Sequence, residues 1–280
     1  MEKLPAKLSG DEKANLQVFY YDFETIMNRS KIVLEQYVIS FLLQGYKEVN
    51  FADAVVKIDN TKALMLAPGS CLMTEKRIGS EDYKSILFFF SKSKLTDLLL
   101  KKGLLSGTGT KKIAAPPCFI MEQDAFIKVF INSLSLHFML DKNLSQQLLE
   151  VKFEEIMIYI IDKYGQNFIA FLLHSLEDEN NLSFKNTIEA NKYSTLSVEE
   201  IAFLCNMSIS TFKRHFAESF NATPANWFKQ KRLQRAKTLL QTGKAKPSEL
   251  FNGSGYKNLS HFSTAYKTIF GKSPRHSLTD

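Results

Sequence analysis

Residues 196–220 read LSVEEIAFLCNMSISTFKRHFAESF, and this stretch decides the fold of the C-terminal third of the chain. Ser197 followed three positions later by Glu200 is a capping box: the hydroxyl takes a free amide of the first helical turn, and the carboxylate reaches back to the cap's own amide. Ile201, Ala202 and Leu204 form an apolar face behind it, and Asn206-Met207 breaks the helix. Ser208 is a second N-cap, after which Ile209, Phe212, Phe216 and Phe220 return at helical spacing. A short helix, a tight turn and a second helix make a helix-turn-helix unit. The outer face of its second helix holds Ser210, Thr211, Lys213 and Arg214, small donors and two cations that suit base edges and phosphates in a major groove. An ordinary amphipathic surface helix has such a face too, so this unit alone leaves the choice open.

Downstream the pattern returns. After Pro247 come Leu250, Phe251, a Gly255-Tyr256 turn and NLSHFSTAYKTIFG, where Asn258 can cap a helix, Phe262, Tyr266 and Ile269 are expected to face inward, and Gly271 ends it. Phe212 and Phe216 align with Phe262 and Tyr266, and each helix is followed by a Thr/Ser-Pro pair, Thr223-Pro224 and Ser273-Pro274. Between the units runs one long helix over about residues 225–241. Its Trp227, Leu233, Ala236, Leu239 and Leu240 are placed to pack on both units, with Lys229, Lys231, Arg232 and Arg235 expected to face outward.

The charge follows the same division. Residues 182–280 hold 15 Lys and Arg against 6 Asp and Glu, a net of +9, whereas residues 1–181 hold 21 against 23. A basic module beside a near-neutral one is the electrostatic footprint of a polyanion binder, although a solvated basic face without a partner would show it as well.

On these motifs, residues 182–280 resemble the DNA-binding domain of the AraC/XylS transcription regulators. The resemblance is carried by the stretch from LSVEEIAFLCNMSISTFKRHFAESF through NATPANWFKQKRLQRAKTLL, and by GYKNLSHFSTAYKTIFGKSP; the RLQRAKTLL linker helix and the FGKSP ending are specific to the family. It implies two recognition helices in successive major-groove turns, held by the linker helix. Carried onto this chain, Ser210, Lys213 and Arg214 are the base readers of the first unit, and Ser260, Ser263 and Thr264 their counterparts in the second; Ser208, Thr211, Asn258, His261 and Lys267 complete the DNA-contact set. The chain departs from the pattern at Leu250-Phe251, where a small pair is usual, at Asn252-Gly253-Ser254, which is weak helix material, and at Thr264, where a long cation is common. The second unit is therefore expected to position the backbone more than to read bases.

Residues 16–91 read as strands: LQVFYYDF, KIVLEQYVISFLLQGY, AVVKI, KALMLAP and YKSILFFFS, separated by turn signals. Such spacing suggests a small barrel or sandwich. YVISFLLQGYKEV and ALMLAPG resemble the strands and turn of a cupin-like barrel, which often accompanies the C-terminal domain in this family. A short helix is expected over 91–100, a linker over 101–118, and helices over 122–140, 145–164 and 167–176. In the first of these helices Phe126, Val129, Phe130, Leu134 and Phe138 keep helical spacing, and in the second Leu148, Val151, Ile156, Ile160 and Ile161 do. The polar EDENNLS, 177–183, precedes the basic third. The expected fold is thus α+β: a cupin-like effector-sensing barrel over 1–120, a helical dimerisation segment over 121–181, and an all-α domain of two helix-turn-helix units joined by a linker helix over 182–280. Phe88-Phe89-Phe90 belongs either to a strand buried on both faces or to the wall of an apolar effector pocket.

Other chemistries find little support. The histidines are His137, His174, His215, His261 and His276, so the expected barrel holds none, and a cupin metal site or a nucleophile with a His partner is not expected there. Cys71, Cys118 and Cys205 lie far apart without a CxxC, and read as reduced, buried thiols. The GTGTKK run at 107–112 lacks phosphate-loop spacing. No apolar run reaches the ~18 residues of a membrane span, and the N-terminus has no apolar segment of a signal peptide, so a cytoplasmic location is expected. The sequence therefore points to a DNA-binding transcription regulator, an activator or a repressor, and not an enzyme. It needs no cofactor or metal; its partners are double-stranded DNA, a small organic effector, a second copy of itself and RNA polymerase. The alternative is a cupin-type enzyme with an accessory DNA-binding tail.

Overall fold

Continuous apolar strands such as YVISFLL (37–43) and ILFFF (86–90) belong in a sheet covered on both faces, because alternate side chains of a strand point to opposite sides. A computed structural model describes residues 1–9, 14–23, 27–77, 82–105, 117–140, 142–176 and 184–278. They divide into two units, Met1–Asn180 and Asn181–Asp280.

The first unit contains β1 (Glu2–Leu4), β2 (Leu16–Phe23), β3 (Met27–Leu34), β4 (Tyr37–Gln44), β5 (Tyr46–Asn50), β6 (Val55–Ile58), β7 (Lys62–Leu66), β8 (Gly69–Lys76), β9 (Tyr83–Phe90) and β10 (Cys118–Glu122). They form two five-stranded sheets, ordered β1-β3-β8-β5-β6 and β10-β7-β4-β9-β2. Every pairing is antiparallel except β1 with β3. No ladder joins the two sheets among the described residues, so the expected barrel is corrected to a pair of open sheets packed face to face. Alternation of apolar and polar residues fixes which face a side chain takes and does not say which strand closes on which.

Ile32, Leu34, Met73, Val38, Leu66, Leu87 and Phe89 form a buried cluster between the sheets. The back of the second sheet, with Ile39, Phe41, Met65, Phe88 and Phe90, is covered by helices. The phenylalanine run lies in a strand covered on both faces: all three rings are buried, Phe88 and Phe90 against helices and Phe89 between the sheets. Among the cysteines, burial pushes the Cys71 and Cys118 thiols up to about 12 and that of Cys205 to about 11, which leaves them as unreactive thiols at neutral pH.

The covering helices are α2 (Lys92–Lys101), capped by Ser91, α3 (Ala125–Ser135) and α4 (Lys142–Leu176), while α1 (Ala6–Ser9) follows β1. The expected linker over 101–118 is corrected at its end, where Cys118 begins β10 opposite Leu66 of β7; its residues 106–116, including the GTGTKK run, lie outside the described residues, as does the polar segment 177–183. The helix expected from residue 122 starts at Ala125 behind the N-cap Asp124. The inward faces differ from the expected ones. Ile127, Phe130, Ile131 and Leu134 of α3 are buried, while Phe126, Val129 and Phe138 of the 3-10 turn after it are exposed. In α4, Leu149, Phe153, Ile156, Met157 and Ile160 are buried and Leu148 and Val151 exposed. These helices are apolar on two sides, and periodicity alone cannot say which side meets the sheet. For the same reason residues 144–176 are long and apolar enough to cross a membrane by length and composition. The helix is interrupted at Gly165, where φ is 53°, and its far half buries Phe168, Phe171 and Leu172 in the core.

Asp124 pins α3 to α4. Its carboxylate accepts the Ile127 amide at 2.9 Å and also binds the Tyr159 hydroxyl and Lys163. Burial pushes this carboxyl up, but the amide, Lys163 and Tyr159 outweigh burial and hold it at about 2, below the usual carboxylate range. A depressed carboxyl contributes stability above its unfolded pKa and loses it as pH falls through the folded one. Acid titration between about pH 4 and pH 2 is therefore expected to loosen the α3–α4 contact, and Asp124→Asn to remove that step; near-UV circular dichroism of both proteins across this range checks it.

In the second unit lie α5 (Phe184–Asn191), α6 (Val198–Leu204), α7 (Ile209–Phe220), α8 (Pro224–Gln241), α9 (Pro247–Gly253) and α10 (Leu259–Phe270), followed by a 3-10 turn at Pro274–Leu278. The capping box at Ser197 and Glu200 is formed on both sides. Asn206 takes the left-handed conformation at φ 54° and turns the chain into α7. Lys246 donates its amide to Glu249 and opens α9, which runs through Gly253 although its residues are weak helix formers. Packing supplies what propensity lacks: Leu250 and Phe251 lie against the cluster of Leu233, Ala236, Leu240, Phe262 and Tyr266.

Candidate nucleic-acid interface

The two helices proposed from sequence as DNA readers are built alike. Ser208 accepts the Thr211 amide at 3.2 Å to open α7, and Asn258 accepts the His261 amide at 2.9 Å to open α10. Phe212 and Phe216 of one helix and Phe262 and Tyr266 of the other are buried, and each helix ends in a left-handed cap, Asn221 or Gly271. A buried i, i+4 pair fixes the rotation of a helix, so the opposite side must face solvent.

On α7 that side carries Ser210, Thr211, Lys213 and Arg214, all exposed. Neither Lys213 nor Arg214 makes a hydrogen bond or ion pair among the described residues, which leaves both cations available to a polyanion. On α10, Ser260, His261, Thr264 and Lys267 are exposed and Ser263 is half-buried. Ser208 also donates its hydroxyl to Thr211 Oγ1 at 2.8 Å, and Asn258 Oδ1 is held by its capping bond, so these residues set the helix start. His215 is exposed, with its ring edge-on to Phe184 at 4.4 Å.

Two expectations within this unit are corrected. Arg232 does not face outward: it is half-buried and donates to the carbonyl oxygens of Ser254 at 3.1 Å and Ser194 at 3.2 Å. It ties the chain before the first helix-turn-helix to the turn of the second, a role that the RLQRAKTLL pattern does not reveal because the guanidinium's partners are backbone atoms distant in sequence. Ile269 does not face inward but is exposed, and Phe270 packs on Tyr266 in its place at 4.6 Å. On α8, Phe228 is buried while Trp227 and Leu239 are only half-buried. Missed altogether was α5, whose Phe184 touches the rings of Phe212, Phe216 and Phe220; Phe184, Thr187, Ile188 and Asn191 at helical spacing were its signal. Lys229 and Arg235 do face outward, Arg235 over the Tyr193 ring at 5.0 Å, and Lys231 lies over Trp227 at 5.0 Å.

The first unit holds a partly open cleft between its sheets. Its walls are apolar, with Leu34, Val38, Leu66, Leu87 and Phe89 among them, and its polar lining includes Ser40, Lys47 and Glu75. Sequence reading did not single out this polar group, because β8, which carries Glu75, was not read as a strand and the partner of the Lys47 strand was therefore unknown. No cluster of three or more His, Cys, Asp or Glu side chains that could hold a metal forms among the described residues.

Comparison with known proteins agrees with both halves. The family model of the ExsA N-terminal regulatory domain matches residues 37–171, and that of a helix-turn-helix domain matches residues 201–279. The chain is similar to the Msm operon regulatory protein of Streptococcus mutans, 26% identical over 257 residues that cover 86% of this chain and 84% of that protein. It is also similar to the virulence regulon transcriptional activator VirF of Yersinia enterocolitica, 23% identical over 237 residues that cover 83% and 85%. Apo ToxT from Vibrio cholerae matches in structure over 95% of this chain and 97% of its own, with 14% identity and a TM-score of 0.41. Two capped recognition helices on a basic unit, with a regulatory domain before them, define a DNA-binding transcription regulator. The chain belongs to the AraC family of these regulators.

Proposed function

We propose that this regulator reads its operator chiefly through α7, with Arg214, Lys213 and Ser210 at base edges, while Ser260, His261, Ser263, Thr264 and Lys267 of α10 mostly position the DNA backbone. Ser208, Thr211 and Asn258 orient the two helices and lie at their DNA-facing ends. The observation that carries this reading is the pair of cations, Lys213 and Arg214, whose side chains have no partner among the described residues, on the exposed side of a helix whose rotation is fixed by Phe212 and Phe216. The functional division is 1–120 for effector sensing, 121–181 for dimerisation and 182–280 for DNA. The fragment 182–280 is expected to bind, without the remainder, the DNA sequences that the full chain enriches from a random pool. A fragment that folds by circular dichroism and binds none of those sequences overturns the assignment.

A small organic effector in the cleft between the sheets gates the activity in this reading, supported by a cleft whose walls are apolar. Dimerisation rests on the outer face of α3 and α4. Val129, Leu148, Val151 and Ile158 are exposed on these helices, with Val151 at 62%, and exposed apolar side chains grouped on helices mark contact surfaces. The full chain is expected to sediment as a dimer at ~50 μM, well above typical specific dimer affinities, and Val151→Asp as a monomer. A wild-type monomer at that concentration removes the dimer from the reading. Transcription is activated, with RNA polymerase as the partner, in a protein that acts in the cytoplasm and performs no catalysis.

A further inference from the structure

Lys47 and Glu75 stand directly opposite one another on β5 and β8, with Lys47 1% and Glu75 6% exposed. The Lys47 ammonium lies 3.1 Å from Glu75 Oε1 and donates across the cleft to Ser40 Oγ, on the facing sheet, at 2.9 Å. The Tyr83 hydroxyl donates to the same Glu75 oxygen at 2.8 Å. Burial, and then the charge of Glu75, push this phenol well above its ordinary range and keep it a donor. A buried ion pair of this kind adds little stability over well-packed apolar residues of the same volume, so stability alone does not account for it.

The electrostatics of this polar group restrict what the cleft can take. An ammonium has three donors, and Ser40 and Glu75 use two of those on Lys47. The third has no acceptor among the described residues, and Lys47 lines the cleft. Its charge, however, is already balanced by Glu75. At the mouth, Lys7 is likewise paired with Glu2 at 2.6 Å. A ligand carboxylate brought to Lys47 would sit beside the Glu75 carboxylate in apolar surroundings, where like charges repel far more than in water. A neutral acceptor would complete the ammonium's hydrogen bonds without that repulsion.

We propose that the cleft binds an uncharged amphipathic molecule, an alcohol or ketone with an aliphatic tail, whose oxygen accepts from Lys47, and that it discriminates against the matching carboxylate. This rests on the reading of the cleft as the effector site. The probes are 1-decanol, 2-decanone and decanoate, each below its aggregation limit, titrated calorimetrically into the full chain at pH 7.5. Decanol and decanone are expected to bind once per chain, and decanoate at least ~10-fold more weakly. Glu75→Gln keeps an acceptor for Tyr83 and leaves Lys47 unbalanced, so decanoate is expected to gain at least ~10-fold in that variant. Decanoate binding the wild type as tightly as decanol overturns the neutral-ligand proposal and leaves the cleft as an effector site. Binding of none of the three overturns the effector site itself. Glu75→Gln that folds, by its melting curve, and gains nothing for decanoate overturns the role of the pair. Should Glu75→Gln not fold, the wild-type comparison decides.

Discussion

Phe216→Ala is expected to destabilise the C-terminal unit by about 3–5 kcal/mol and with it to abolish DNA binding. The Phe216 ring is fully buried and lies 5.7 Å from Phe212, 4.6 Å from Phe220, 5.6 Å from Trp227, 5.7 Å from Phe228 and 6.2 Å from Phe184. It is the point at which α5, α7 and the start of α8 meet, so truncation leaves a cavity that no single neighbour can fill. Domains are stable by only about 5–15 kcal/mol, so this loss leaves the recognition helix without its support. Ile269→Ala is the control. It also removes a large apolar side chain from a recognition helix, yet that side chain is exposed, and its effect should stay within about 0.5 kcal/mol. Urea unfolding of the two variants measures the difference; equal losses would mean that the rotation of these helices is misassigned.

The second large effect separates the recognition helices. Arg can hold the O6 and N7 atoms of guanine bidentately, worth about 1–3 kcal/mol of discrimination against a wrong base. Arg214→Ala is therefore expected to flatten sequence preference in one half of the operator by about 10- to 100-fold. Lys267 lies a turn beyond Ser263 and Thr264 on α10, where its chain reaches a phosphate better than a base. Lys267→Ala should weaken binding to every sequence about equally and reduce the salt dependence by roughly one unit of slope. Titration of each variant against intact and point-mutated operators at several salt concentrations tests both. If Arg214→Ala loses affinity uniformly while Thr264→Ala alters base preference, the readers belong to the second unit.

Where local chemistry specifies structure, the sequence was legible. Ser197, Ser208 and Asn258 are N-caps because their side chains hydrogen-bond amides three residues away, and Gly271 ends a helix because it tolerates a positive φ. The aromatic pairs Phe212/Phe216 and Phe262/Tyr266 fix which sides of α7 and α10 are exposed, and so made the candidate DNA-contact residues readable. Where both sides of an element are apolar, this reasoning fails. In α3 and α4 the spacing of Val129 and Val151 was as regular as that of Phe130 and Ile156, and only contact with the sheet separates them.

The sequence by itself determined the two helix-turn-helix units, their linker helix and the basic charge of residues 182–280, since caps, helical spacing and charge are properties of neighbours along the chain. Tertiary structure alone decided three other features. The strands form two open sheets, because pairing joins residues as distant as Leu16 and Phe90. Arg232 turns inward, because its acceptors are backbone oxygens at residues 194 and 254. Lys47 and Glu75 meet in an apolar cleft, because a lysine and a glutamate 28 positions apart form a buried pair only when the register of β5 on β8 sets them face to face. Burial and long-range hydrogen bonds depend on what the folded chain brings near, and no local rule of sequence encodes that.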